Sequence, residues 1–216
     1  SANFQLSIFN YHIDVIRIKE SELKKISSLI VPNEVLAICE IAQHELKISS
    51  LKNKLSLVLD TVQDPGNMGT IIRIADWFGI ENIICSTDTV EVYNPKVIQA
   101  TMGSIARVKV HYVDLVSFFS ELSTTPDHRL KVYGAVLNGE SIYENNLSQS
   151  GLIVLGNESK GIAEALLPYL TNKISIPAYR HESQRTTAGE PHHGKGAESL
   201  NVAIAAAVIC AEFRRR

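Results

Sequence analysis

From Leu55 onward, short apolar runs rich in β-branched and aliphatic residues alternate with segments whose apolar positions recur every three or four residues. That alternation predicts strands interleaved with helices, hence an α/β domain with a mostly parallel sheet. Leu55-Ser56-Leu57-Val58-Leu59 reads as the first strand. Asp64-Pro65-Gly66 turns the chain, and Met68, Ile71, Ile72, Ala75 and Phe78 then share one face of a helix. Ile83-Ile84-Cys85 predicts a second strand and residues 95–102 a second helix. Further strands are expected at 108–110, 132–136 and 152–155, then a short helix after Gly161 and a strand at 174–176 ended by Pro177. The last element is the clearest: Val202, Ala205, Ala206, Ile209 and Phe213 form one apolar stripe, with alanines beside it that admit a second backbone. Either the chain's own core or a subunit interface accounts for such a stripe.

Residues 1–46 read as a separate unit, with a strand over 14–18, a helix over 20–27 and a strand over 35–39. Two strands and one helix are too little for an independent core. Residues 47–54 are the expected linker, and residues 55–216 the main domain.

A chain of 216 residues with 45% hydrophobic content supports one substantial core, which excludes a disordered protein. Its 21 basic and 23 acidic residues leave a net charge of -2, so no bulk field favours nucleic acid and any such affinity must be local. Arg214-Arg215-Arg216 is the evident patch, although basic residues at a helix end also complement the macrodipole. Cys39, Cys85 and Cys210 are widely spaced among apolar residues and read as buried free thiols, which suits a reducing cytoplasm. No apolar run approaches the roughly 18 residues of a membrane span, so no membrane partner is expected.

Three clusters carry candidate chemistry. In Asn67-x-Gly69-x-x-x-Arg73, Gly69 and Arg73 share a helical face that Asp76 and Trp77 continue. The glycine lets a ligand or a second backbone approach, and the arginine can grip a phosphate or simply be solvated. Gly156-Asn157-Glu158-Ser159-Lys160-Gly161 follows an apolar strand and suggests a tight ligand-facing loop or a plain turn; Glu158 would repel a phosphate. Gly196-x-x-Ser199-Leu200-Asn201 precedes the last helix, with Ser199 as expected N-cap and Asn201 free to reach a ligand.

In order and flanks, these clusters resemble the three motifs of the SpoU-type RNA 2′-O-ribose methyltransferases of the SPOUT superfamily. They run from Leu57 to Arg73, from Ile153 to Gly161 and from Ser199 to Ala205, and Asn94-Pro95-Lys96 with Gly103-Ser104-x-x-Arg107-Val108 is similar to the segment between motifs. The resemblance implies a C-terminal trefoil knot that binds S-adenosyl-L-methionine (SAM), with Leu155, Gly156, Ile176, Ala178, Ser199 and Leu200 lining the pocket. It implies an RNA substrate, ribosomal or transfer, and a homodimer through the last helix that brings Arg73 of one subunit near the cofactor of the other. Arg73 would bind the RNA phosphate and stabilise the developing alkoxide. Asn67 would hold Arg73 or the ribose, Glu158 would fix its loop and Asn67, and Ser199 and Asn201 would position substrate and pocket. Relatives also carry a small RNA-gripping domain, of which residues 13–41 resemble only the C-terminal half. One departure is the polar stretch between Tyr179 and Gly196, where relatives need only a few residues. Its His192-His193 pair has no partners at ligand spacing, so no metal is expected. The alternative reading is a catalytically silent RNA-binding protein of the same fold.

Overall fold

The computed structural model describes residues 4–8, 11–27, 29–125, 130–178 and 199–215, with side chains from residue 13 onward. The chain divides into two units, Ser1–Gln43 and His44–Arg216. In the first, strand β1 (Phe4–Ile8) pairs antiparallel with β2 (Tyr11–Val15), and helix α1 (Glu20–Ile26) follows. The strand expected over 14–18 therefore begins earlier, and its partner β1 had no recognised pattern. Residues 35–39 form no strand, and Val35 and Ile38 are exposed. An apolar run says only that side chains would favour burial; a strand exists when a neighbour takes its hydrogen bonds. Cys39, on this stretch, is exposed rather than buried, whereas Cys85 and Cys210 are buried as expected. Among the described side chains of this unit, Leu23 is the buried one.

The second unit is the expected α/β domain. Strands β3 (Leu55–Leu59), β4 (Asn82–Ser86), β5 (Lys109–Val113), β6 (Val132–Ser141), β7 (Gly151–Leu155) and β8 (Asn172–Ser175) form one sheet in the order β5-β4-β3-β7-β6-β8. Every neighbouring pair is parallel. Helices α2 (Pro65–Trp77), α3 (Pro95–Thr101), α4 (Leu115–Thr124) and α5 (Val202–Arg215) complete it. The central strands β3, β4 and β7 are buried at every position because both faces are covered. Leu57, Leu59, Ile153 and Leu155 pack with Met68, Ile72 and Ile209 on one side, and Val58, Leu152 and Val154 with Phe118, Phe119 and Leu122 on the other. Helix α4, capped by Asp114 through the Ser117 amide at 2.8 Å, went unrecognised in the sequence. The helix expected after Gly161 is a 3₁₀ segment, Glu164–Tyr169. Residues 47–54, read as a linker, carry a 3₁₀ turn at Ile48–Leu51 whose Leu51 is buried in the second core, and Lys54 pairs with Glu81 at 2.8 Å.

The stripe on α5 faces the chain's own sheet. Val202, Ala203, Ala206, Ile209, Cys210 and Phe213 are buried, and the Phe213 ring meets Tyr133 edge-on at 4.9 Å, while Ala205 is only partly covered. Ile204 and Ala211 lie exposed on the opposite side. The basic terminus is occupied as well. Arg214 donates to the carbonyls of Phe78 and Gly79 at 2.9 and 3.2 Å, and Arg215 pairs with the buried Glu212 at 2.8 Å. Arg214 thus caps the end of α2 instead of offering a free patch; Arg216 lies outside the described residues.

Candidate active site

An open parallel sheet binds ligands beyond the carboxyl ends of its strands, at the point where strand order reverses. Here that point lies between β3 and β7: from β3 the sheet grows through β4 to β5 on one side, and on the other come β7, β6 and β8. The first two motif clusters leave those two strands. They are tied together by the Asp60 amide to the Leu155 carbonyl at 2.9 Å, by Asn157 Nδ2 to the Thr61 carbonyl at 2.8 Å, and by the Ala163 amide to Asp60 Oδ2 at 2.7 Å. Thr61 holds a left-handed backbone with φ 59°, uncommon for a β-branched residue, and Ser86 Oγ accepts its amide at 2.9 Å.

The loop after β7 closes on itself. Asn157 and Gly161 exchange two backbone hydrogen bonds at 2.9 Å, and Asn157 Oδ1 accepts the amides of Ser159 and Lys160 at 3.0 and 3.1 Å. Gly156 is required by this closure, since a Cβ there would lie 2.2 Å from the carbonyl carbon of Gly161. Closure points Glu158 toward α2.

Helix α2 begins at Pro65, with Asp64 as N-cap accepting the Asn67 amide at 2.7 Å. Asn67 Nδ2 donates to Glu158 Oε1 at 2.9 Å, and Asn67 Oδ1 accepts from Asn201 Nδ2 at 2.9 Å. Asn201 Oδ1 accepts the amides of Ala203 and Ile204 at 2.9 and 3.3 Å. A carboxylate is an acceptor only, so Glu158 dictates how Asn67 is turned, and Asn67 dictates Asn201. One directional relay thereby joins all three motifs and ends in the cap of α5. The expected capping role of Ser199 passes to Asn201, because α5 begins at Val202 and the residue just before it presents the cap. Ser199 is exposed.

The relay unites Asn67, Glu158 and Asn201 but not Arg73. Six residues along α2, Arg73 sits roughly 120° around the helix from Asn67, so the expectation that Asn67 holds it is not met. Arg73 is exposed and makes no ion pair among the described residues. Gly69 is buried against α3, where a Cβ would fall 2.4 Å from that of Ala100; the close approach is a second backbone rather than a ligand. Asp76 accepts from Arg107 Nε and Nη2 at 3.0 and 2.7 Å and from Ser104 Oγ at 2.7 Å, and these bonds hold its carboxyl below the usual range.

Of the expected cofactor residues, Leu155 is buried at the end of β7, Gly156 and Ile176 are partly covered, and Ala178, Ser199 and Leu200 are exposed. Between the ends of β7 and β8 lies a feature the sequence reading missed. Ala135 and Glu140 of β6 both pair with Ile174, so the chain bulges out between them and leaves Leu137 exposed. The Asn138-Gly139 dipeptide was the available signal. The stretch between Tyr179 and Gly196, with His192 and His193, lies outside the described residues.

Comparison with known proteins places this geometry. The sequence model of the SpoU rRNA methylase family matches residues 54–183. A Bacillus subtilis protein, 23S rRNA (guanosine(2553)-2′-O)-methyltransferase RlmP, is 30% identical over 91% of this chain and 71% of its own length. The 23S rRNA (uridine(2479)-2′-O)-methyltransferase of Streptomyces viridochromogenes is 28% identical over 86% of this chain and 61% of its own length. Among solved structures, a Porphyromonas gingivalis protein described as a TrmH-family RNA methyltransferase superposes with a TM-score of 0.71 at 36% identity, covering 93% of this chain and 74% of the other. The SpoU methyltransferase AviRb of S. viridochromogenes, in complex with AdoMet, gives 0.62 at 26% identity over 78% of this chain and 64% of that one. With the family model matched over more than half of its length and a 30% identical relative across 91% of it, the chain belongs to the SpoU rRNA methylase family.

Proposed function

We propose that this chain transfers a methyl group from SAM to a ribose 2′-hydroxyl in ribosomal or transfer RNA, in the cytoplasm. The observation that carries the reading is the relay from Glu158 through Asn67 to Asn201, which assembles three motifs at the switch point of the sheet. The surrounding residues suit SAM. Leu155, Gly156, Ile176, Ala178 and Leu200 bring apolar surface and backbone polar groups without a cation, and Glu158 disfavours a phosphate-bearing cofactor. When bound, SAM supplies a methyl group activated by the adjoining sulfonium.

Ser199 and Leu200, joined directly to the capped start of α5, hold one wall of the pocket, and the loop closed by Gly156 and Gly161 holds another. Knotting of the C-terminal segment through that loop is part of the proposal. Arg73, solvated and unpaired among the described residues, binds the RNA phosphate beside the target ribose. Its guanidinium stays charged at any working pH, so it stabilises the developing alkoxide while the phosphate assists removal of the proton. Asn67, Glu158 and Asn201 keep the walls in register.

A homodimer through α5 completes this reading and brings Arg73 to the partner's cofactor. Its contact surface is the outer side of α5, around Ile204 and Ala211, since the Ala206 side is spent on the chain's own core. Residues 1–46 serve as part of an RNA-binding domain, joined by residues 47–54 to the catalytic residues 55–216. The test is methyl transfer from isotopically labelled SAM to unmodified ribosomal and transfer RNA, followed by nuclease digestion. A resistant methylated dinucleotide is expected from the parent protein and none from Arg73→Ala, which should still bind SAM in a calorimeter. Comparable turnover by Arg73→Ala would remove Arg73 from the mechanism. SAM binding without transfer to either RNA would favour a silent RNA-binding protein.

A further inference from the structure

Helix α2 presents a second group to solvent one turn beyond Arg73. Trp77, the sole tryptophan of the chain, is 85% exposed and makes no ring or hydrogen-bond contact among the described residues. Four residues separate it from Arg73, so the two side chains leave the same face about 6 Å apart along the axis. Gly66 and Thr70 continue that face toward the N-terminus of α2 and are exposed.

The indole has a rigid mount. Asp76, its neighbour, is held by Arg107 and Ser104, and the carbonyls of Phe78 and Gly79 just beyond it accept from Arg214. The same contacts set the charge. Asp76 is matched by Arg107, which leaves the Arg73 guanidinium as the uncompensated charge on the face that carries the indole.

An uncompensated guanidinium one turn from a bare indole on a well-held helix end suits a polyanion with π-faces: the cation meets a phosphate and the ring stacks on a base. We propose that Trp77 is a stacking platform for a base of the RNA substrate next to the nucleotide whose phosphate Arg73 binds. The proposal rests on the reading above in which Arg73 meets RNA. Trp77 is then a positioning residue: it takes no part in the transfer and fixes the strand on α2. Stacking is indifferent to base identity, so it adds affinity without dictating sequence.

Because Trp77 is the sole tryptophan, the unmodified protein reports on it directly. A fluorescein-labelled adenosine 12-mer is titrated with protein and followed by anisotropy, and tryptophan emission is recorded with the unlabelled 12-mer. The expected result is the red-edge emission of a solvated indole in free protein, quenched in step with RNA binding. Trp77→Ala should weaken the 12-mer roughly 5- to 150-fold, whereas Trp77→Phe retains most of the affinity. Both should bind SAM like the parent. Binding without quenching, unchanged affinity of Trp77→Ala, or no binding of the 12-mer overturns the proposal. So does emission that shifts to the blue with protein concentration in the absence of RNA, since a second copy would then cover the ring. Failure here is separable from failure of the catalytic reading. If Trp77→Ala methylates RNA with the parent's KM while Arg73→Ala is dead, only the platform falls.

Discussion

Replacing Asn201 with Asp separates the two tasks of that side chain. Aspartate caps a helix about as well as asparagine, so acceptance of the Ala203 and Ile204 amides survives. What disappears is the N–H that donates to Asn67 Oδ1. Asn67 then lies between two carboxylates, Glu158 and Asp at position 201, with a single amino group to offer. Whichever way its carboxamide turns, one carboxylate faces a carbonyl oxygen. Both relay bonds are solvent-exposed, so the lost bond costs only about 1 kcal/mol, and the facing oxygens bring the total to about 2 kcal/mol. Adding Glu158→Gln reverses the direction of the relay. Gln at 158 donates to Asn67 Oδ1, the rotated Asn67 donates to Asp at 201, and that carboxylate still accepts the helix amides. Glu158→Gln alone should cost no more than about 0.5 kcal/mol, because its amide oxygen still accepts. The double variant should recover about 1–2 kcal/mol relative to the sum of the single changes. Urea unfolding followed by circular dichroism measures all four corners of the cycle, with SAM affinity as a parallel readout. Additive stabilities, or a double variant weaker than either single one, would refute the relay.

Ala206→Glu should unfold or precipitate the protein because the side chain is wholly buried, whereas Ala211→Glu should fold and sediment as a monomer. A folded Ala211→Glu dimer would exclude the outer side of α5 as the interface. Thr61→Asn should raise stability by about 0.5–1 kcal/mol in denaturant melts, since asparagine tolerates the left-handed φ of 59° better than a β-branched residue does. Ellman's reagent should modify Cys39 promptly and the other two thiols only on unfolding; burial pushes the Cys210 thiol up to about 12 and raises Cys85 as well. Asp76 has its pKa lowered by its bonds to Arg107 and Ser104, so it contributes stability above the unfolded carboxylate pKa. That contribution is lost as pH falls through the folded value, and the parent and Asp76→Asn should converge in acid.

Local pattern was enough wherever burial alone decides structure. Leu55 to Leu59 is buried at every position and apolar at all but Ser56 because β3 is covered on both faces, and that run announces a parallel sheet without further help. Where structure depends on a distant partner, pattern failed. Residues 35–39 are an apolar run like a buried strand and have no ladder among the described residues, while Phe4–Ile8 pairs with Tyr11–Val15. The stripe on α5 was legible as apolar, but whether it met the chain's own sheet depended on Tyr133 and the α2 contacts, which lie far away in sequence. The site divides in the same way. Asn67, Glu158 and Asn201 could be singled out, yet their union spans 91 residues for one bond and 134 for the other, and no local spacing encodes it.

The glycines sharpen what each motif is for. Gly69 and Gly156 both looked like places where a ligand could approach, and in both the space is taken by the protein's own backbone or a neighbouring helix. Gly156 admits the turn at Gly161 and Ile162, which aims Glu158 at α2; Gly69 admits α3, which fixes how α2 presents its outer face. Asn67, Glu158 and Asn201 spend their polar groups on one another, and a group already committed to a relay cannot grip substrate without breaking it. Arg73 is committed to nothing among the described residues. The motifs therefore divide their labour, with glycines and relay building the walls and Arg73 supplying the charge. Damage to the relay should accordingly appear first as weakened SAM binding, and removal of Arg73 as lost turnover with SAM binding intact.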